Sequence, residues 1–194
     1  MIKENQSKKD YSIPMSKASA ASLPFGVIVV GQFLLFTAVW GFETIKSSSD
    51  ILLPWYFFPL FAVGIVLHEL IHGLSWMLGG RLSFNQMKFG FQIKTLTPYA
   101  HCTVPIPKSA YVFGTLMPAL ILGIFPFLLS LINGNGWIFL FGILFTFAAV
   151  GDFLIVYLIR SVSWTALVED HPENAGCYVY ESEKIDSTSK AESI

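Results

Sequence analysis

The chain has 194 residues, 54% of them hydrophobic, with 18 phenylalanines and only 13% charged residues, against roughly a quarter charged in an ordinary soluble domain. This composition points to an integral membrane protein whose length suits one compact bundle. A net charge of −1 leaves no basic stripe and argues against a nucleic-acid partner. Cys102 and Cys177 stand far apart without a C-x-x-C pair, which excludes a disulfide framework or a cysteine-based zinc site.

Residues 1–22 are polar, carry Lys3, Lys8, Lys9 and Lys17, and read as a disordered or surface tail. The first apolar run, about Leu23 to Phe42, is long enough to span a bilayer. It lacks a small-residue cleavage site, so a retained helix is expected rather than a signal peptide. Lys46 to Asp50 form a short turn. The second run, Ile51 to Leu78, has Pro54 near its start and Gly79-Gly80 as its stop. Between Arg81 and Lys108 lies the one sizeable polar connection. Met87 to Lys94 alternates apolar and polar residues, the period of a half-buried strand. Thr97-Pro98 reads as a turn, and Ala100 to Val104 as a returning strand that Pro105 and Pro107 would end. A hairpin and an unpaired surface loop are both compatible with this pattern. The third run, about Tyr111 to Ile132, contains Pro118 and Pro126, which predict kinks. Asn133-Gly134-Asn135-Gly136 makes a tight turn into the fourth run, Trp137 to Ile159. The polar, acidic remainder is expected outside the bilayer.

The predicted fold is therefore an all-α integral membrane bundle of about four transmembrane helices, with a short β-hairpin or loop between the second and third. Its parts are a tail at 1–22, a membrane-embedded domain at 23–165 and a second tail at 166–194. The tail, the 81–108 connection and Arg160 fall on one side of this arrangement, while the short turns carry only Lys46. The positive-inside rule then predicts a multi-pass protein of the cell membrane with both termini cytoplasmic.

Within the second run stands His68-Glu69-Leu70-Ile71-His72. Residues four apart share a helix face, so the two imidazoles can serve one metal ion while Glu69 takes a proton beside it. This is the H-E-x-x-H arrangement of zinc hydrolases. Ionisable residues inside a membrane-length apolar helix are costly and mark functional sites; the alternative is paired side chains that hold helices together.

A catalytic zinc takes three protein ligands and keeps a position open. Leu78 occupies the place of a third histidine six residues beyond His72, and no acid occurs between Glu69 and Asp152. The candidates are His101, Cys102, Asp152, His171 and the acids of the C-terminal segment. Asp152 is the strongest: it is the lone acid of the fourth run, and its distance to Arg160 matches that of His72 to Gly80, each ~12 Å along a helix. Gly151 beside it would allow close helix approach. His101 is expected on a hairpin folded back over the site, stabilising a transition state rather than ligating. His171 reads as a solvated turn residue partnered by Asp170.

The histidine motif, the Thr97-Pro98-Tyr99-Ala100-His101 segment and Gly151-Asp152 together resemble a bacterial family of membrane zincin peptidases, distantly similar to the site-2 intramembrane metalloproteases. The resemblance covers roughly residues 55–180. It implies proteolysis, a third ligand equivalent to Asp152 and a membrane-associated β-segment near residues 85–107 that presents substrate. The chain departs from site-2 proteases in having Gly151-Asp152-Phe153 where they carry Asp-Gly, and in lacking a PDZ-like domain.

The function expected is that of a membrane-embedded zinc metallopeptidase. Zn2+ is held by His68, His72 and Asp152, Glu69 is the general base, and His101 is an auxiliary catalytic residue. The partners are a membrane-associated protein or peptide substrate and the lipid bilayer. A non-catalytic metal-binding regulator or chaperone and a metal-ion transporter are the rivals. Glu69 has no purpose in the first. Against the second, the charged groups sit at one depth and no further polar residues continue across the outer half.

Overall fold

The computed structural model describes residues 6–49, 57–92 and 97–182. The start of the second run with Pro54, residues 93–96 and the acids beyond 182 lie outside these. In chain order the elements are β1 (Gln6–Ile13), α1 (Met15–Ser22), α2 (Gly26–Trp40), α3 (Phe42–Ser49), α4 (Phe57–Gly80), β2 (Met87–Gln92), β3 (Thr97–Cys102) and β4 (Ile106–Pro107). There follow α5 (Lys108–Pro118), α6 (Phe125–Asn133), α7 (Gly136–Ala148), α8 (Val150–Leu158), β5 (Leu167–Asp170) and β6 (Ala175–Ser182).

Four helical stretches are long and apolar enough to cross a membrane: Met15–Trp40, Phe58–Gly80, Lys108–Asn133 and Gly136–Leu158. Their outward faces keep large apolar residues such as Val27, Leu34, Val63, Leu74 and Phe147 exposed, a surface that water does not favour and lipid does. Inside, small residues bring backbones together. A methyl group on Gly142 would lie 2.7 Å from the Phe127 nitrogen, and one on Gly123 would lie 2.6 Å from Thr146 Oγ1. Pro118 ends α5, and a π-helical turn, Ala119–Ile124, leads into α6. Proline removes a backbone donor and forces the ladder to readjust.

The fold is not all-α. The two polar ends, read as tails, pair with each other: β1, β6, β5 and β4 form a four-stranded sheet in that order. In β1–β6, Tyr11 faces Cys177 and Asp10 faces Tyr178. The polar end segments hide an apolar set, and Val168, Cys177 and Val179 are fully buried against Trp76, Ile106 and Tyr111. Because β1 precedes Met15, β4 precedes Lys108 and β5 follows Leu158, this sheet closes one end of the bundle. A separate cluster of Phe36, Ile45, Phe127 and Phe139 lies apart from the sheet core. The segment expected as a turn at Lys46 belongs instead to α3, whose Ser48 Oγ donates to Thr44 O.

Between α4 and α5 the chain forms a true hairpin, with β2 and β3 antiparallel and Lys88 opposite His101. Thr97 and Pro98 lie inside the strand rather than in a turn. Pro98 is tolerated because it shares the outward edge of β3 with Ala100 and Cys102, whose N–H groups donate away from β2, so its missing donor costs no ladder bond. A methyl on Gly73 would meet the Phe89 ring at 2.2 Å, so that glycine lets the hairpin lie flat along α4.

Candidate metal centre

His68 and His72 lie one turn apart on α4 and are both buried. Asp152 reaches them from the first turn of α8, just after the helix breaks at Ala149, where ψ is 4°. The fourth apolar run is thus two helices rather than one, and Gly151 follows the break with nothing within 4 Å of a methyl group built on it. Its role is not close helix approach, as the sequence implied.

The nitrogen and oxygen atoms converge. His68 Nε2 lies 3.1 Å from His72 Nε2 and 3.2 Å from Asp152 Oδ2, and His72 Nε2 lies 3.4 Å from Asp152 Oδ1. Ligand atoms ~2.05 Å from a tetrahedral ion are ~3.3 Å apart, so the spacing fits zinc. The hydrogen-bond inventory fits as well. His72 Nδ1–H donates to the Gly114 carbonyl at 3.0 Å, which fixes the tautomer and leaves a lone pair on Nε2 facing the carboxylate. His68, His72 and Asp152 are thus a group that could hold a metal ion. Asp152 Oδ2 and His68 Nδ1 are buried with no hydrogen-bond partner.

Behind the histidines runs an aromatic stack. His72 lies on Trp76 with ring centroids 5.2 Å apart, and Trp76 lies on Tyr111 at 5.6 Å. Trp76 Nε1–H donates to Tyr111 O at 2.9 Å. Trp76 stands four residues after His72 and so on the same helix face, a signal that was available in the sequence. The Gly114 carbonyl left no such signal.

Glu69 Oε2 accepts the Ala100 N–H at 2.9 Å, which ties the motif glutamate to β3. Glu69, His72 and Asp152 line a cavity of 1040 Å³ together with Tyr99 and His101 of the hairpin. His101 therefore lies over the site without joining the three converging groups. Cys102 does not join them: its thiol donates to Val104 O, and burial pushes its pKa up to about 11. His171 also stays away, its Nδ1 accepting the N–H groups of Glu173 and Asn174 while Nε2 meets the Tyr178 hydroxyl at 3.0 Å. The carboxylate beside His171 is Asp10, at 3.8 Å, and not Asp170. Asp170 turns inward and accepts from Tyr111 and the Cys102 N–H; burial pushes its carboxyl above the usual range.

Polar groups do continue into the other half of the bundle, contrary to the sequence reading. Gln32 Nε2 donates to Thr146 Oγ1, which donates to Gly142 O, and Ser130 donates to Phe127 O. The hydroxyls are satisfied by their own helices, and none of these residues carries a charge.

No curated protein matches the chain, and neither does any solved structure. A family model described as "Putative zincin peptidase" matches residues 61–167, which hold both motif histidines, Glu69, the hairpin and Asp152. With more than half of its length matched, the chain belongs to that zincin peptidase family.

Proposed function

We propose that the protein is a membrane-embedded zinc metallopeptidase of the H-E-x-x-H type, with His68, His72 and Asp152 as its metal ligands. The observation that carries this reading is the hydrogen bond from His72 Nδ1 to Gly114 O, which leaves the Nε2 lone pair facing Asp152 and His68. Zinc in this site supplies Lewis acidity that polarises a carbonyl oxygen and acidifies water. Glu69 is positioned by Ala100 to accept a proton at its carboxylate and pass it to the departing amine. His101, on the cavity wall, offers a ring nitrogen to the oxygen on which charge develops. The cavity is large enough to take an extended peptide segment, and the substrate class is a membrane-associated protein or peptide.

The apolar outer faces of the four long helices support placement in the cell membrane. Lys17, Arg81, Lys88, Lys108 and Arg160 lie towards the sheet end, which supports a cytoplasmic position for that end and both termini. A metal-ion transporter is disfavoured because no charged residue of α2, α6 or α7 continues the path beyond Asp152. A non-catalytic metal protein has no use for Glu69 held between the ligands and the hairpin. The test is metal analysis of the purified protein beside its His72→Ala variant. One zinc per chain, lost in the variant, supports the assignment; equal metal content in both ends it.

A further inference from the structure

The carboxylate of Asp170 lies at the meeting point of three elements. Its Oδ1 accepts the Tyr111 hydroxyl of α5, and its Oδ2 accepts the Cys102 N–H of β3 at 2.9 Å. The same Oδ2 stands 3.7 Å from His101 Nδ1, an electrostatic contact longer than a hydrogen bond. Asp170 is itself 9% exposed and lies on the wall of the cavity that holds Glu69, His72 and Asp152. It ends β5, three residues past the segment that defines the family match. The outward edge of β3 thus gives one N–H to Glu69 and the next outward N–H to Asp170. Two carboxylates hold the strand in place, one from the motif helix and one from the C-terminal sheet.

A histidine ring has two distinct nitrogens, and a carboxylate at one of them decides which carries the proton and which way the other points. We infer that Asp170 is the positioning residue of the site, holding the proton on His101 Nδ1 and leaving Nε2 for the substrate cavity. This deepens the peptidase reading of the same cavity and rests on it for the use to which Nε2 is put. It also gives the sheet formed by the two chain ends a task. Through β5 and Asp170 that sheet sets the hairpin and His101 against the metal ligands, so the working unit extends beyond residue 167.

The test is a long-range proton–nitrogen correlation spectrum of the full chain labelled with nitrogen-15 histidine. The chain has four histidines, and His101 is assigned by the signal lost in His101→Gln. The wild-type spectrum should show the His101 proton on Nδ1. Asp170→Asn should move it to Nε2, while Tyr111→Phe, which removes a different donor from the same carboxylate, should leave it on Nδ1. Zinc content should stay unchanged in Asp170→Asn, because the residue is not a ligand. A wild-type His101 protonated on Nε2 alone overturns the inference even if Asp170→Asn cannot be folded. So does Asp170→Asn with a native spectrum and the proton still on Nδ1. Either result leaves zinc binding at His68, His72 and Asp152 standing, whereas absence of zinc from the wild type fails the peptidase reading without touching the tautomer.

Discussion

Gly114 offers a way to disturb the proposed metal centre without touching a proposed ligand. A methyl group there would come within 2.1 Å of Trp76 Cδ1, 2.5 Å of Nε1 and 2.8 Å of Cγ. These atoms belong to the inner ring of the indole, not to the free end of a flexible chain. The indole is also held on three sides, by its hydrogen bond to Tyr111 O and by stacking on Tyr111 and His72. Gly114→Ala must therefore move Trp76, and His72 with it, or move α5 and the carbonyl that accepts the His72 Nδ1 proton. Overpacking of this kind costs about 1–3 kcal/mol of stability. Loss of the partner behind a ligating histidine lowers metal affinity by roughly 10–100-fold. The assay is competition for zinc between the detergent-purified protein and a chromophoric chelator. Gly31→Ala is the control, since nothing lies within 4 Å of a methyl at that exposed position. Wild-type zinc affinity in a folded Gly114→Ala protein would refute the coupling from Gly114 through His72 to the metal.

Glu69→Gln should retain zinc yet lose about 10²–10⁴-fold in cleavage of a peptide substrate, because the amide cannot accept a proton; undiminished turnover would remove Glu69 from the chemistry. Gly73→Ala, which sets a methyl against the Phe89 ring at 2.2 Å, should displace the hairpin and lower cleavage while zinc content holds, as measured on the same preparations. Burial pushes the thiols of Cys102 and Cys177 up to about 11 and about 12, so neither should react with maleimide at neutral pH in the folded protein. That silence allows orientation to be read directly. Cysteines engineered at Ser48 and Asn135 should be labelled from outside intact cells and one at Lys9 should not; the reverse pattern would invert the assigned orientation.

Much of the candidate site's geometry could be read in the sequence because its parts are periodic or rare. Four-residue spacing put His68 and His72 on one face, and a lone acid in an apolar run drew attention to Asp152 at a matching helical depth. The alternation from Met87 onward marked a strand, and the structure pairs it with β3. The terminal sheet was hidden for a physical reason. In β1 the apolar positions are outnumbered by Lys8, Lys9 and Asp10, and strand pairing between segments about 170 residues apart leaves no local trace. Asp170 was assigned to His171 because they are neighbours in sequence, whereas successive strand residues point to opposite faces. Asp170 ends β5 and accepts from Tyr111 and the Cys102 N–H, whereas His171, just past the strand, meets Glu173, Asn174 and Tyr178. The break at Ala149 was equally unreadable, since Phe147, Ala148, Ala149 and Val150 carry no helix-stopping residue.

The third ligand separates the proposed metal centre from every arrangement that uses the histidine motif alone. Zinc affinity should be measured on wild type, Asp152→Asn and His101→Ala, purified side by side and titrated against one chelator. Four bonds, three from the protein and one from water, sharing about 12 kcal/mol give roughly 3 kcal/mol per bond, or a loss of about 100-fold when one is removed. Wild type should hold one zinc per chain, Asp152→Asn should bind it about 100-fold more weakly, and His101→Ala should bind it as wild type does. Full affinity in Asp152→Asn with the loss appearing in His101→Ala would contradict a centre built from His68, His72 and Asp152.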